Sequence, residues 1–160
     1  MTDAPMAPEL VTSHWFNSES AITLDALRGE VIVIEASQML CPGCVTHGLP
    51  LAQRIHETFR DEVTVLGLHT VFEHHAAMTP VSLEAFLHEH RITFPVGVDS
   101  AQPGSDTPIT MERCGLRGTP SLLVIDRSGR LRANVLGETN ELTVGALLAR
   151  LLDEGAPQTP

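Results

Sequence analysis

Apolar residues fall into short continuous runs that alternate with segments of helical spacing. VIVI at 31–34 is β-branched throughout, the mark of a strand buried on both faces. VTVLGLHT (63–70), SLLVID (121–126) and LRANVL (131–136) repeat that pattern, and ITFPVGVD (92–99) predicts a shorter strand interrupted by Pro95. Between the runs, Leu49, Leu51, Ile55 and Phe59 keep near-helical spacing, which predicts a helix over 42–59 kinked at Pro50. Thr79-Pro80 opens a second helix with Leu83, Phe86 and Leu87 on its apolar side. A short helix near 111–114 and an amphipathic one over 141–152 complete the set. DRSG at 126–129 is a turn signal joining the last two strands as a hairpin.

Upstream, HWF (14–16) and AITL (21–24) flank the turn-rich NSES and predict a second hairpin, its packing supplied by Trp15. DALRGE adds one helical turn closed by Gly29. The alternation of strand and helix, ending in a hairpin, predicts an α/β fold: a three-layer α/β/α sandwich with a central mixed sheet and an N-terminal β-hairpin extension. One domain is expected over 13–153, with a flexible lead-in at 1–12 and a flexible tail at 154–160.

Composition narrows the function. Acidic residues outnumber basic ones by 20 to 10, a formal charge of −10. That argues against a phosphate-backbone binder, which needs Lys and Arg to displace counterions, and against a polybasic membrane anchor. No apolar stretch approaches the roughly 18 residues of a membrane span. MTDAPMAPEL carries no basic leader or apolar run, so a cytoplasmic location is expected. The chain has 3 cysteines, too few for a disulfide scaffold. In a reducing compartment two of them spaced as CxxC point to catalysis or metal binding.

The pair is Cys41 and Cys44, in EASQMLCPGCVTHGLP. Cys41 stands where a buried strand ends and a helix begins. Unpaired N–H groups and the helix dipole favour an anion there, the setting that lowers a thiol pKa. Cys41 is therefore the expected nucleophile, and Cys44, one turn in, the shielded thiol that resolves a mixed disulfide.

LRGEVIVIEA, CPGC, ITFPVGVD and GLRGTPSLLVIDRSGRL, in that order, resemble the thioredoxin superfamily and within it the TlpA-like redoxin branch, related to AhpC/TSA proteins. The resemblance spans about residues 14–152. It implies a thioredoxin-like fold and a catalytic Cys41–Cys44 pair. It also implies a cis proline facing the pair, a position matched by Thr119-Pro120. Such a loop leaves the Thr119 backbone available to an extended substrate segment. Pro42 and Gly43 between the cysteines tune the dithiol. Glu35, six residues before Cys41, matches the buried acid of thioredoxins. A buried carboxyl has a raised pKa and can exchange a proton with Cys44; the alternative is a strand end turned to solvent.

The chain departs from its relatives before the nucleophile, where EASQMLC replaces an aromatic lead-in. Leu40 takes the place of a tryptophan, and Gln38 and Met39 are unusual, so partner preference is expected to differ there. Peroxiredoxins need a threonine three positions before the peroxidatic cysteine. Gln38 holds that place before Cys41, and Cys41 holds it before Cys44, which weighs against a thiol peroxidase, the first alternative. The second alternative is a metal protein: CPGCVTH adds His47, and His69, Glu73, His74, His75, His88 and His90 lie near in sequence. A second CxxC is absent, and His88 and His90 cannot share a helix face. Cys114 reads as a compact buried hydrophobe, with a regulatory thiol as the alternative.

The sequence thus predicts a thiol–disulfide oxidoreductase with Cys41, Cys44 and Glu35 catalytic. Thr119, Pro120, Pro42, Gly43 and Leu40 would face the substrate. No cofactor or metal is expected. Its partners would be a disulfide-containing protein or small thiol and a reductase as electron donor, with no nucleic acid and no membrane.

Overall fold

The computed structural model describes residues 3–154, so the tail predicted at 154–160 lies outside the described residues except for Glu154, which is helical. Its strands are β1 (Thr12–Phe16), β2 (Val31–Ser37), β3 (Val63–His69), β4 (Val96–Asp99), β5 (Ser121–Ile125) and β6 (Leu131–Leu136). They form one sheet in the order β1-β4-β3-β2-β5-β6. β2, β3 and β4 run parallel, while β5 is antiparallel to β2, β6 to β5 and β1 to β4. The sheet is mixed, as the sequence pattern predicts.

The helices are α1 (Leu49–Phe59), α2 (Pro80–Glu89), α3 (Ile109–Arg113) and α4 (Glu141–Glu154). The steps β2–α1–β3 and β3–α2–β4 move the same way across the sheet. Right-handed crossovers therefore put α1 and α2 on one face. Val31 and Val33 of β2 join α1, α2 and α4 in the core on that side. Ile32 and Ile34, pointing the opposite way, pack with Met111, Leu116, Leu10 and Leu24 on the other. Every residue of β2 is buried, which explains its unbroken apolar run. No helix among the described residues is long and apolar enough to cross a membrane.

The expected N-terminal hairpin does not form. β1 pairs instead with β4, Trp15 opposite Gly97 and Phe16 opposite Val96. Glycine is required at 97 because a Cβ there would lie 2.9 Å from the Trp15 ring. Asn17 follows β1 in a left-handed conformation and donates to the carbonyls of Ile92 and Phe94. Those bonds tie the end of β1 to the β4 lead-in, so the chain cannot reverse onto 21–24. Leu24 enters the core instead, its N–H bonded to the Glu9 carboxylate. The segment expected as a loose lead-in lies along the β5–β6 hairpin, with Leu131 N–H donating to Pro5 O and Ala7 N–H to Gly129 O.

The helix after the cysteines also differs in detail. A π-helical turn, Cys44–Gly48, precedes α1, and Leu49 N–H reaches back to Cys44 O. Pro50 has no N–H to give the preceding turn, and the wider π turn takes up that mismatch where a simple kink is predicted.

Candidate active site

The end of β2 leads to Cys41 through four residues, 37–40, and buried polar groups hold them. Thr70 N–H donates to Ser37 O. The Gln38 side chain accepts from Phe72 N–H at 3.2 Å, and its carbonyl accepts from Cys41 N–H at 3.2 Å. Met39 N–H donates to His69 Nε2 at 3.2 Å. His69 is buried, and loss of hydration pushes its pKa down to about 4, so it is a neutral acceptor. In the sequence Gln38 is merely unusual and His69 a candidate ligand; the fold uses both to fix the approach to Cys41. Leu40, between them and the cysteine, is exposed at 57 %.

Cys41 is half-buried and Cys44 fully buried; both are free thiols and approach to 2.6 Å. Cys44 N–H points at Cys41 Sγ from 3.3 Å, a donor that favours a thiolate. The Cys41 thiol faces Thr119 O at 3.5 Å. Cys44 is pushed up to about 12, first by burial and then by its contact with Cys41, so it stays protonated until its proton is taken. Pro42 is exposed and its carbonyl accepts from Thr46 Oγ1.

Across from the pair, the Thr119-Pro120 peptide is cis. Its proline packs on the helix start because two glycines leave room. A Cβ on Gly43 would lie 3.3 Å from Pro120 Cδ, and one on Gly48 would lie 2.7 Å from Pro120 Cβ. The Gly48 position would also bring that Cβ to 2.1 Å from Glu35 Oε1. Gly48 is a site residue that sequence reasoning missed; its one signal was a glycine in a segment of helical spacing.

Glu35 points to the α1 face of the sheet, opposite Gly67 and Leu122, and is 1 % exposed. A solvent-facing strand end is thereby excluded. Its Oε1 has no hydrogen-bond partner among the described residues. Burial holds the carboxyl well above the usual carboxylate range, and the Cys41 thiolate adds to the effect.

The remaining candidates scatter. His47 pairs with Glu138, His75 with Asp106 O, and His90 stacks on Phe86. Among the described residues no three of His, Cys, Asp and Glu converge as a metal cage. Cys114 packs against the core on the opposite face. Burial, then the Asp99 carboxylate, pushes its thiol up to about 11.

The AhpC/TSA family model matches residues 6–134. The crystal structure of a thioredoxin-like superfamily protein superposes with a TM-score of 0.91 at 62% identity, over 96% of this chain and 100% of that one. A thiol-disulfide isomerase from Corynebacterium glutamicum gives 0.88 at 46% identity, over 94% and 97%. A thioredoxin-like protein solved in its oxidized form gives 0.78 at 23% identity, over 98% and 100%, a likeness of fold alone. No curated protein matches the sequence.

Proposed function

The chain belongs to the AhpC/TSA family and has a thioredoxin-like fold, and from that premise we propose that it exchanges thiols and disulfides with protein or small-molecule substrates through Cys41 and Cys44. One observation carries the reading. A half-buried Cys41 sulfur accepts the Cys44 N–H beside the Thr119 carbonyl, with a fully buried second thiol 2.6 Å away.

The reaction runs in two displacements. Cys41 thiolate attacks one sulfur of the substrate disulfide. That S–S bond breaks, one substrate thiolate leaves, and a mixed disulfide forms. Cys44 then loses its proton to the Glu35 carboxylate and attacks Cys41 Sγ. The mixed disulfide breaks and the second substrate thiolate leaves. The substrate gains two electrons, and the chain is left with a Cys41–Cys44 disulfide. A dithiol reductant restores it, and the reverse sequence oxidises a dithiol substrate.

Glu35 is suited to this timing. While Cys41 is a thiolate, its charge helps keep the neighbouring carboxyl protonated. Once Cys41 is bonded in the mixed disulfide that charge is gone, Glu35 ionises more readily, and a base appears when Cys44 needs one. Thr119, Leu40 and Pro42 border the reacting sulfur and are the surfaces a substrate segment would meet.

Turnover of a model protein disulfide tests the proposal. Cys41→Ser should abolish it, and Cys44→Ser should stall after one substrate thiol with the mixed disulfide accumulating. Full activity in Cys41→Ser would overturn it. Hydrogen peroxide consumption insensitive to Cys44→Ser would replace it with a peroxidase.

A further inference from the structure

A buried carboxyl that gains and loses protons needs a path to water. Glu35 lines a cavity of about 40 Å³ that His47, Gly48, Thr139 and Glu138 also line. At ~10–15 Å³ per water, that volume holds about three or four waters. Polar groups make up most of its wall, with Leu51 and Leu122 the apolar part, and the buried Glu35 Oε1 lacks any protein partner among the described residues. His47 is 50% exposed, with Nδ1 3.5 Å from Glu138 Oε1. The same space therefore touches a wholly buried carboxyl and an imidazole half in solvent. The other charged groups facing it, Arg54 and Glu141, are bonded to each other.

We propose that His47, backed by Glu138, is the proton outlet of Glu35. Glu138 favours a protonated Nδ1 and leaves Nε2 to accept. When Cys41 enters the mixed disulfide, the Glu35 proton passes through cavity water to His47 and out to solvent. The carboxylate then takes the Cys44 proton, which follows the same route once the Cys41–Cys44 disulfide has formed. His47 touches neither sulfur nor substrate in this scheme; it acts through Glu35. The inference rests on Glu35 being the base for Cys44, and the experiment separates the two ideas.

The resolving step can be isolated by loading Cys41 with an aromatic nitrothiol as a mixed disulfide. Attack by Cys44 then releases the coloured nitrothiolate in a single turnover. In dilute buffer His47→Ala should slow release about tenfold, below the ~10²–10⁴ of a direct general base because cavity water still reaches Glu35. Added imidazole should restore the rate, a rescue that a structural role for His47 does not give. Glu35→Gln should be slow in every buffer and not rescued. Wild-type release by His47→Ala at all buffer concentrations, or a loss that imidazole cannot restore, overturns the outlet and leaves Glu35 as base. Wild-type release by Glu35→Gln removes the base and the outlet with it.

Discussion

Gly48 offers a test in which geometry and propensity predict opposite signs. Its backbone is helical, φ −63 and ψ −56, so nothing in the conformation demands glycine. In a helix with open surroundings, Gly→Ala stabilises by roughly 0.5–1 kcal/mol, because glycine loses more backbone freedom on folding. At Gly48 the added methyl would lie 2.1 Å from Glu35 Oε1 and 2.7 Å from Pro120 Cβ. Neither neighbour is the loose end of a surface chain: one is a buried carboxyl, the other a proline ring. Relieving the clash requires moving the helix start off Pro120 or turning Glu35 aside, an overpacking cost of about 1–3 kcal/mol. Gly145, in α4, is the control, since a Cβ there meets nothing within 4 Å. Gly48→Ala should destabilise by about 1–3 kcal/mol and Gly145→Ala should stabilise by about 0.5–1 kcal/mol, so the two variants should separate by about 1.5–4 kcal/mol. Urea unfolding reads this directly, and in melting temperature each kcal/mol is worth about 2–4 °C at this chain length. Gly48→Ala should also slow nitrothiolate release, because the displaced carboxyl is the base proposed for Cys44. Equal stabilisation by both substitutions would refute the close packing of the helix start on Glu35 and Pro120.

Two further variants report on buried ionisable groups through pH. Glu35 binds its proton more tightly folded than unfolded. Its contribution is full below the ordinary carboxyl value of 4.5 and is lost as pH rises toward its raised folded value. Glu35→Gln should therefore gain stability over wild type as pH rises through that window; a constant difference in denaturant midpoint from pH 4 to 8 would contradict the burial argument. His69 has the reverse sign: its folded pKa near 4 lies below the ordinary 6.5, so its contribution is present above 6.5 and fades as pH falls toward 4. His69→Leu should cost about 1–3 kcal/mol at pH 7 by stranding the Met39 N–H. Relative to wild type, that loss should shrink on acidification; an unchanged gap at pH 5 would count against a neutral buried His69.

Much of the site was legible because its chemistry is local. CPGC narrows the chemistry to a redox dithiol or a metal site, and its place between VIVI and a helical pattern tells which thiol is exposed. Glu35 could be suspected of burial because the four residues before it allow no solvent face. Thr119-Pro120 was identifiable only through resemblance, since nothing local in GLRGTP says what it faces. Gln38 and His69 show the limit. Their polar side chains are the same in a solvated loop as in a buried clamp. Only the β2–β3 pairing, Ser37 opposite His69, brings an imidazole under the Met39 N–H.

The N-terminal hairpin failed for a related reason. HWF and AITL have the composition of paired strands, but composition cannot rank a neighbour in sequence against a distant edge. β4, some eighty residues away, offered Gly97 to the Trp15 ring, and Asn17 locked the choice. By itself the sequence determined the α/β architecture, the mixed sheet and the candidate cysteine pair, because periodicity and motif spacing are written residue by residue. The tertiary structure decided the strand that β1 joins, the glycine that lets Glu35 and Pro120 meet the helix, and the cavity that links Glu35 to His47. Each of these is a distance between residues far apart in the chain, and distances of that kind exist only once the sheet has set its register.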